Sequence, residues 1–418
     1  AQESRGLGDV YKRQFKKIMD GGARVEQVMS VYPTLTYPIH VVQMTGRNLM
    51  NHGIYNNERV MPGRLSPDWF WQIQDCKVPT IFDAAHRKGL TTHAVMWPVT
   101  AQADIDWLLP EVWDLQKWED PAIIYKKNCS PQLFDKYFEK HRFKLGWHPK
   151  PELDEFGVSV AEDVIRNEKP DLAMIHVSAV DIARHGNGMF GPAIDDAIRK
   201  VDSWLCRLEQ AVSESGRFDE TNFIIVSDHG HLKVDKQVNL NVLFKEEGLI
   251  QTDDHGELVS YQAYCHSSGL SAQILLADAA DTEVRKKVEA ILEYAKDTEA
   301  FGIKAIYTRR EAEEKFQLSG PFEYVVEGVG GVAFAAKWDG RVVINEEDPD
   351  YDYVKTSHGH RPHLGPQPVL LAKGPDFKEN VTIRECSILD EVPTFAAVLG
   401  VEMEGLEGRC LHELLVRP

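Results

Sequence analysis

The chain has no C-x-x-C pair and no dense cysteine framework. Its six cysteines, Cys76, Cys129, Cys206, Cys265, Cys386 and Cys410, are scattered over 418 residues. That pattern argues against a disulfide scaffold and favours free, buried thiols in a reducing compartment, with the cytoplasm slightly ahead. Zinc, if used, would be held by His and Asp. No stretch approaches the roughly 18 to 20 apolar residues of a membrane helix. Gly/Ser linkers, low-complexity tracts and repeats are also missing. Basic residues are in deficit, 47 Lys and Arg against 65 Asp and Glu, for a net charge of -18. Broad binding to nucleic acid is therefore disfavoured. A small phosphorylated substrate is not, because bound cations can dominate the field of a small site. The first residues lack the apolar region of a secretory signal. The run Asp9-Val10-Tyr11-Lys12-Arg13-Gln14 reads as translated library adapter. Residues 1–14 are thus expected to be non-native, with the homologous part resuming near Phe15 and any natural N-terminal signal lost.

What is present is an alternation of short apolar runs with amphipathic segments. Thr92 to Trp97, Leu172 to Ser178, Asn222 to Ser227 and Pro368 to Ala372 read as buried strands. Helices are expected over Val78 to Lys88, from about Pro192 to Ser213, and from about Ile388 to Leu399. In the second of these, Ile194, Ala197, Ile198, Val201, Leu205, Leu208 and Val212 recur at threes and fours. This order predicts an α/β fold with a mostly parallel sheet sandwiched by helices. The core is expected over 15–237 and 351–418. Residues 238–350 read as an inserted cap or auxiliary α/β subdomain, with a strand at Ser271 to Leu276 and a charged helix at Thr282 to Lys296.

Chemistry-bearing residues sit where strands end. Asp181 and His185 follow one predicted strand in Val180-Asp181-Ile182-Ala183-Arg184-His185. Asp228 and His229 follow another in Ser227-Asp228-His229-Gly230-His231. Ligands in open α/β sheets bind beyond the carboxyl ends of the strands, so distant segments can converge there. His358 stands in Ser357-His358-Gly359-His360, near His363. Thr36, in Pro33-Thr34-Leu35-Thr36-Tyr37-Pro38, suits an N-cap with Pro in the first turn. A plain capping threonine and a nucleophile at a phosphate-favouring helix N-terminus are both open. Carboxylate oxygen and imidazole nitrogen together suit zinc.

In their order these motifs resemble the alkaline phosphatase superfamily, most closely its nucleotide pyrophosphatase/phosphodiesterase (type I phosphodiesterase) branch. Thr36-Tyr37-Pro38 matches that family's nucleophile segment, and His52-Gly53-Ile54-Tyr55-Asn56-Asn57 matches its His-Gly-Ile-x-x-Asn segment. The resemblance implies an alkaline-phosphatase-like fold and two divalent metal ions, most simply zinc. One would be held by Asp181, His185 and His358, the other by Asp228, His229 and Thr36. It implies Thr36 as nucleophile, Asn57 as donor to a phosphoryl oxygen, and hydrolysis of phosphodiester or nucleotide pyrophosphate bonds through a phospho-threonine intermediate. Tyr37 is placed either against a nucleobase or in the core, and Trp69-Phe70-Trp71 either at the mouth of the site or buried. The family has one more zinc-binding Asp at the end of its first strand, and neither Asp9 nor Asp20 is assigned to it. Ile39 stands where many relatives have Asn. A sulfatase is disfavoured, because no C/S-x-P-x-R segment is present. The alternatives are a phosphonoacetate-hydrolase-like enzyme, a phosphomonoesterase, or an inactive phosphate-binding fragment lacking that Asp.

Overall fold

The computed structural model describes residues 13–64, 67–113, 120–145 and 152–417, so Asp9 lies outside the described residues. Helix α1 (Arg13–Gly21) leads into strand β1 (Ala23–Met29), whose Val25 and Val28 turn into the core. Three further strands, β5 (Phe223–Val226), β12 (Leu370–Lys373) and β13 (Thr382–Ser387), join it in the order β13-β1-β12-β5. Strand β12 runs antiparallel to both its neighbours, while β1 and β13 are parallel. A second sheet has the order β3-β2-β4, from β2 (Thr92–Val95), β3 (Trp107–Leu109) and β4 (Leu172–Ile175), all parallel. Among the described residues β4 and β5 are each edge strands, and both line one cleft of about 2790 Å³.

The helices follow their sequence signals with small shifts. Helix α2 (Thr36–Thr45) is buried from Tyr37 to Thr45, its polar His40, Gln43 and Thr45 included, and each of these three finds a hydrogen-bond partner. Ile39, Val41, Val42 and Met44 have no exposed surface, and burying each contributes about 1.5–3 kcal/mol over leaving it in water. Helix α3 (Ile81–Arg87) starts later than its pattern suggests, because Thr80 forms a capping box with Asp83. Strand β2 stops at Val95, since Met96 adopts a positive φ of 51°. Helices α4 (Glu152–Glu168) and α6 (Pro192–Ser215) pack together, and α6 ends at Gly216 with a φ of +80°. Strand β4 ends at Ile175, and α5 (Ala179–Asn187) begins after Ser178. Near the C-terminus a single 3₁₀ turn, Ile388–Asp390, precedes α8 (Glu391–Leu399).

Within 238–350 a four-stranded sheet has the order β7-β8-β10-β9, formed by β7 (Ala263–Ser267), β8 (Ser271–Leu276), β9 (Ile303–Thr308) and β10 (Tyr324–Gly328). Alternation along β10 divides its faces. Tyr324 and Val326 pack with Val288 and Leu292 of α7 (Thr282–Asp297), whereas Val325 packs with Ile39 and Leu49. A short antiparallel pair, β6 (Leu232–Lys233) with β11 (Thr356–Ser357), ties the segment after β5 to the one carrying His358. All six cysteines are free, but only Cys129, Cys265 and Cys386 are buried, and Cys206 is exposed.

Candidate functional site

Five segments converge on the cleft, carrying Thr36, Asn57, Asp181 with His185, Asp228 with His229, and His358. Thr36 is the first residue of α2, and Leu35, in extended conformation, holds the N-cap position without a side-chain bond. Of the two roles left open for Thr36, the plain cap is therefore excluded. Asn57 caps instead, its Oδ1 accepting the Tyr37 N–H at 2.8 Å. Pro38 has no N–H, and the Ile39 N–H bonds Leu35 O, so the Thr36 N–H is the first-turn donor that faces no protein acceptor among the described residues. Thr36 Oγ1 lies 3.1 Å from His229 Nε2. Thr36 and Asn57 both line the cleft.

Asp228 and His229 leave β5 on backbone held from two sides. Gln43 Nε2 donates to Ser227 O at 3.1 Å, and Ser30 Oγ donates to Asp228 O at 3.2 Å. Asp228 Oδ2 is 3.1 Å from His229 Nε2 and 3.6 Å from His40 Nδ1. His40 also donates Nδ1–H to Thr36 O at 2.8 Å, one helical turn back. Burial would raise the Asp228 carboxyl, but His229 and His40 beside it outweigh that and hold it far below the carboxylate range. Burial would lower His229, yet Asp228 outweighs it and the imidazole is raised above its ordinary value.

Asp181 and His185 lie one turn apart on α5, on the same face. The nearest oxygen of Asp181, Oδ1, is 2.9 Å from His231 Nε2, 3.4 Å from His185 Nε2 and 3.7 Å from His358 Nε2. His185 Nδ1 faces Thr356 O at 2.6 Å and His358 Nδ1 faces Thr34 O at 3.0 Å. A carbonyl only accepts, so both Nδ1 atoms carry the hydrogen and both Nε2 atoms present lone pairs. Two lone pairs aimed at a carboxylate repel unless a cation sits among them, and carbonyl-anchored imidazoles are the usual form of metal-ligating His. The donor set therefore fits a divalent cation. Donor atoms of Asp181, His185 and His358 lie within 4.8 Å of one another, as do those of Asp181, His229 and His231.

The structure thus brings together Thr36, Asn57, Asp181, His185, Asp228, His229 and His358. Among the described residues Asp228 joins no group of three such donors. The rings of His229 and His358 stack at 3.8 Å and link the two carboxylates' surroundings. Burial, with His229 beside it, holds His358 well below an ordinary imidazole, and burial brings His231 down to about 4. Gly359 makes the His358 turn possible: its φ is +92°, and a Cβ would sit 1.8 Å from Ser268 O.

Tyr37 is a correction. It has no exposed surface and packs edge-on against Trp69 at 5.0 Å, so it belongs to the core and cannot stack a base. Of the tryptophans on the cleft lining, Trp69 is half-buried and packs on Tyr37, whereas Trp97 is buried and packs on His40. Phe70 is buried. His360 is buried against Thr34 and His363 is exposed, so neither joins the cluster. His231 and His40 went unassigned in the sequence. His231 stood two residues beyond His229 and His40 four beyond Thr36, spacings that offered a signal without a partner.

The sequence profile of the family "Type I phosphodiesterase / nucleotide pyrophosphatase" matches residues 7–361. The chain belongs to that family. Its members are metal-dependent hydrolases of phosphoric ester or anhydride bonds. Human ectonucleotide pyrophosphatase/phosphodiesterase family member 5 is 25% identical over 402 residues, covering 93% of this chain and 70% of the human protein. The yeast (Saccharomyces cerevisiae) ectonucleotide pyrophosphatase/phosphodiesterase 1 is 25% identical over 295 residues, covering 65% of this chain and 36% of its own length. The solved murine family member 5 superposes with a TM-score of 0.68 at 19% identity, over 97% of this chain and 95% of that one. Another murine structure is of an inactive threonine-to-alanine form in complex with AMP. The fold is the alkaline-phosphatase-like α/β architecture of these proteins. No helix among the described residues is long and apolar enough to cross a membrane.

Proposed function

We propose that the chain hydrolyses a phosphodiester or nucleotide pyrophosphate bond in two displacements, with Thr36 as nucleophile. The observation that carries this reading is the placement of Thr36 Oγ1 at a helix start, 3.1 Å from His229 Nε2 and in the same cleft as Asn57. Asp181, His185 and His358 would hold one divalent cation, and Asp228, His229 and Thr36 a second. When bound, these ions, most simply zinc, would supply Lewis-acid stabilisation of the charge on phosphate and leaving oxygen. In the first displacement Thr36 Oγ forms a bond to phosphorus as the bond to the leaving group breaks. In the second, water attacks the same phosphorus and the Thr36 ester breaks, which restores the hydroxyl. Asn57 keeps its Oδ1 on the Tyr37 N–H, so its Nδ2 is the donor left for a phosphoryl oxygen. The Thr36 N–H adds a second donor at the positive end of α2. Trp69, half-buried on the cleft lining, offers aromatic surface for a nucleoside, which accords with the AMP complex of the murine relative.

The test is cleavage of bis-p-nitrophenyl phosphate, p-nitrophenyl phosphate and phosphonoacetate by chelator-treated and zinc-reconstituted protein. Diester cleavage that needs zinc and disappears in Thr36→Ala is expected. Full activity in Thr36→Ala would remove Thr36 from the mechanism. A second reading, phosphate binding without turnover, draws on the absence of a third donor beside Asp228 among the described residues. It predicts one tightly held cation per chain and no cleavage.

A further inference from the structure

Three imidazoles surround Asp181, and they are not equivalent. His185 and His358 have backbone carbonyls at Nδ1, which fixes their lone pairs on Nε2. His231 has a hydroxyl there instead, Thr356 Oγ1 at 3.0 Å. A hydroxyl can donate as well as accept. It is therefore the other end of the ring that decides the tautomer. His231 Nε2 lies 2.9 Å from Asp181 Oδ1, and at that distance a lone pair would face a carboxylate head-on. The contact is favourable only if Nε2 carries the hydrogen, which leaves Nδ1 to accept from Thr356 Oγ1–H. The distances separate the three rings in the same way. Two donors on one tetrahedral zinc, each bonded at about 2.0–2.1 Å, are spaced about 3.4 Å apart. His185 and His358, at 3.4 and 3.7 Å from Asp181 Oδ1, have that spacing. His231 is closer, at ordinary hydrogen-bond length.

We infer that His231 is a positioning residue for the Asp181 cation site, donating Nε2–H to the carboxylate so that it stays turned toward His185 and His358. The inference rests on the proposed cation at Asp181. Thr356 serves both kinds of ring, its carbonyl accepting from His185 and its hydroxyl donating to His231. The β6–β11 pairing, Leu232 opposite Ser357, holds the two segments in register so that one residue can do both. The charge-assisted bond to Asp181 adds to the stability of the empty site. It also fixes which carboxylate rotamer a cation meets.

The experiment measures zinc affinity by chelator competition and the d–d spectrum of the cobalt(II) form, for the whole protein and three variants. His231→Leu removes the donor, His231→Gln offers an amide N–H at similar reach, and Thr356→Val removes the hydroxyl. Wild-type binding is expected, with affinity lowered about 10–100-fold in His231→Leu, largely recovered in His231→Gln, and reduced less in Thr356→Val. The cobalt band positions should be the same in all four, because the ligand set is the same, and the metal-free melting temperatures report any loss of folding separately. Unchanged zinc affinity in a folded His231→Leu would overturn the inference. So would a cobalt spectrum showing loss of a nitrogen ligand in that variant, which would make His231 a ligand. A wild-type protein that binds neither metal would overturn both this inference and the cation reading beneath it.

Discussion

Around Asp181 three imidazoles converge on one carboxylate oxygen, and the far nitrogen of each is anchored to Thr34 or Thr356. Around Asp228 a single imidazole, His229, approaches at 3.1 Å, and His40 stands off at 3.6 Å with its nitrogen already committed to Thr36 O. The first surroundings are assembled from a helix, a strand pair and a loop, with His185 and His358 oriented by backbone carbonyls and His231 by the Thr356 hydroxyl. The second are assembled at the end of β5, where the nearest neighbours are the candidate nucleophile and the start of α2. One half is therefore built to hold a cation with its own side chains. The other is built to place a hydroxyl, an amide donor and an acid close together. Ligand count and outer hydrogen bonds set affinity, so the two halves should respond differently to the same perturbation.

The largest difference is expected from removing each carboxylate. Asp181→Asn should lower zinc affinity by more than about 100-fold, because the ligand itself is lost rather than its support. Asp228→Asn should leave one zinc bound per chain and abolish turnover. Metal content after dialysis against a weak chelator reads both, and equal loss in the two variants would erase the distinction between the halves. Next, Asn57→Ala should reduce kcat on a diester on the order of 10²-fold through the lost phosphoryl donor. It should also destabilise the start of α2 by about 1 kcal/mol through the lost cap, with the zinc stoichiometry unchanged. Steady-state kinetics, urea denaturation and metal analysis separate the three effects.

Acidification should sort the halves in the metal-free protein. His229 is raised, so it takes a proton at a higher pH than an ordinary imidazole, whereas His358 is held well below and His231 at about 4. As pH falls, the donor at Asp228 is lost first, while His358 and His231 remain neutral. Nitrogen-detected NMR titration of the imidazoles checks the order, and His358 protonating before His229 would reverse the assignment.

The smallest effect concerns Glu391, which is fully buried and donor-linked through Gln43 to the backbone of Ser227. Burial raises its carboxyl well above the usual range. The folded state therefore binds a proton that the unfolded chain gives up near pH 4.3. Its contribution to stability is complete below that value and is lost as pH rises toward the folded pKa. Glu391→Gln should be progressively more stable than the parent between pH 5 and pH 8, seen as a modest shift in the denaturation midpoint. A constant difference across that range would place the ionised form in the core.

Much of this was legible in the chain. Apolar runs read as ending at Ser178 and Ser227, each followed by an Asp and then a His, announced an α/β sheet with a site at its strand ends. The 3.6-residue period from Ile194 to Val212 announced α6. The ordered motifs carried the family. The illegible part depended on contacts across long separations. Tyr37 could be read as stacking surface or core, and only its neighbours, Trp69 above all, decided for the core. Thr36 looked like a cap, but the cap came from Asn57, twenty-one residues on in sequence. His231 is fifty positions from Asp181 and one hundred and twenty-five from Thr356, and no periodicity reports such a meeting.

Residue type and local spacing determined which elements form and which chemistry they carry, because propensity, capping and ligand preference act over a few residues. Tertiary structure alone decided which nitrogen of each histidine carries the hydrogen, how far each ring stands from Asp181, and which carboxylate gathers three imidazoles. Those properties depend on the group at the far side of the ring, and the fold supplies that group from elsewhere in the chain.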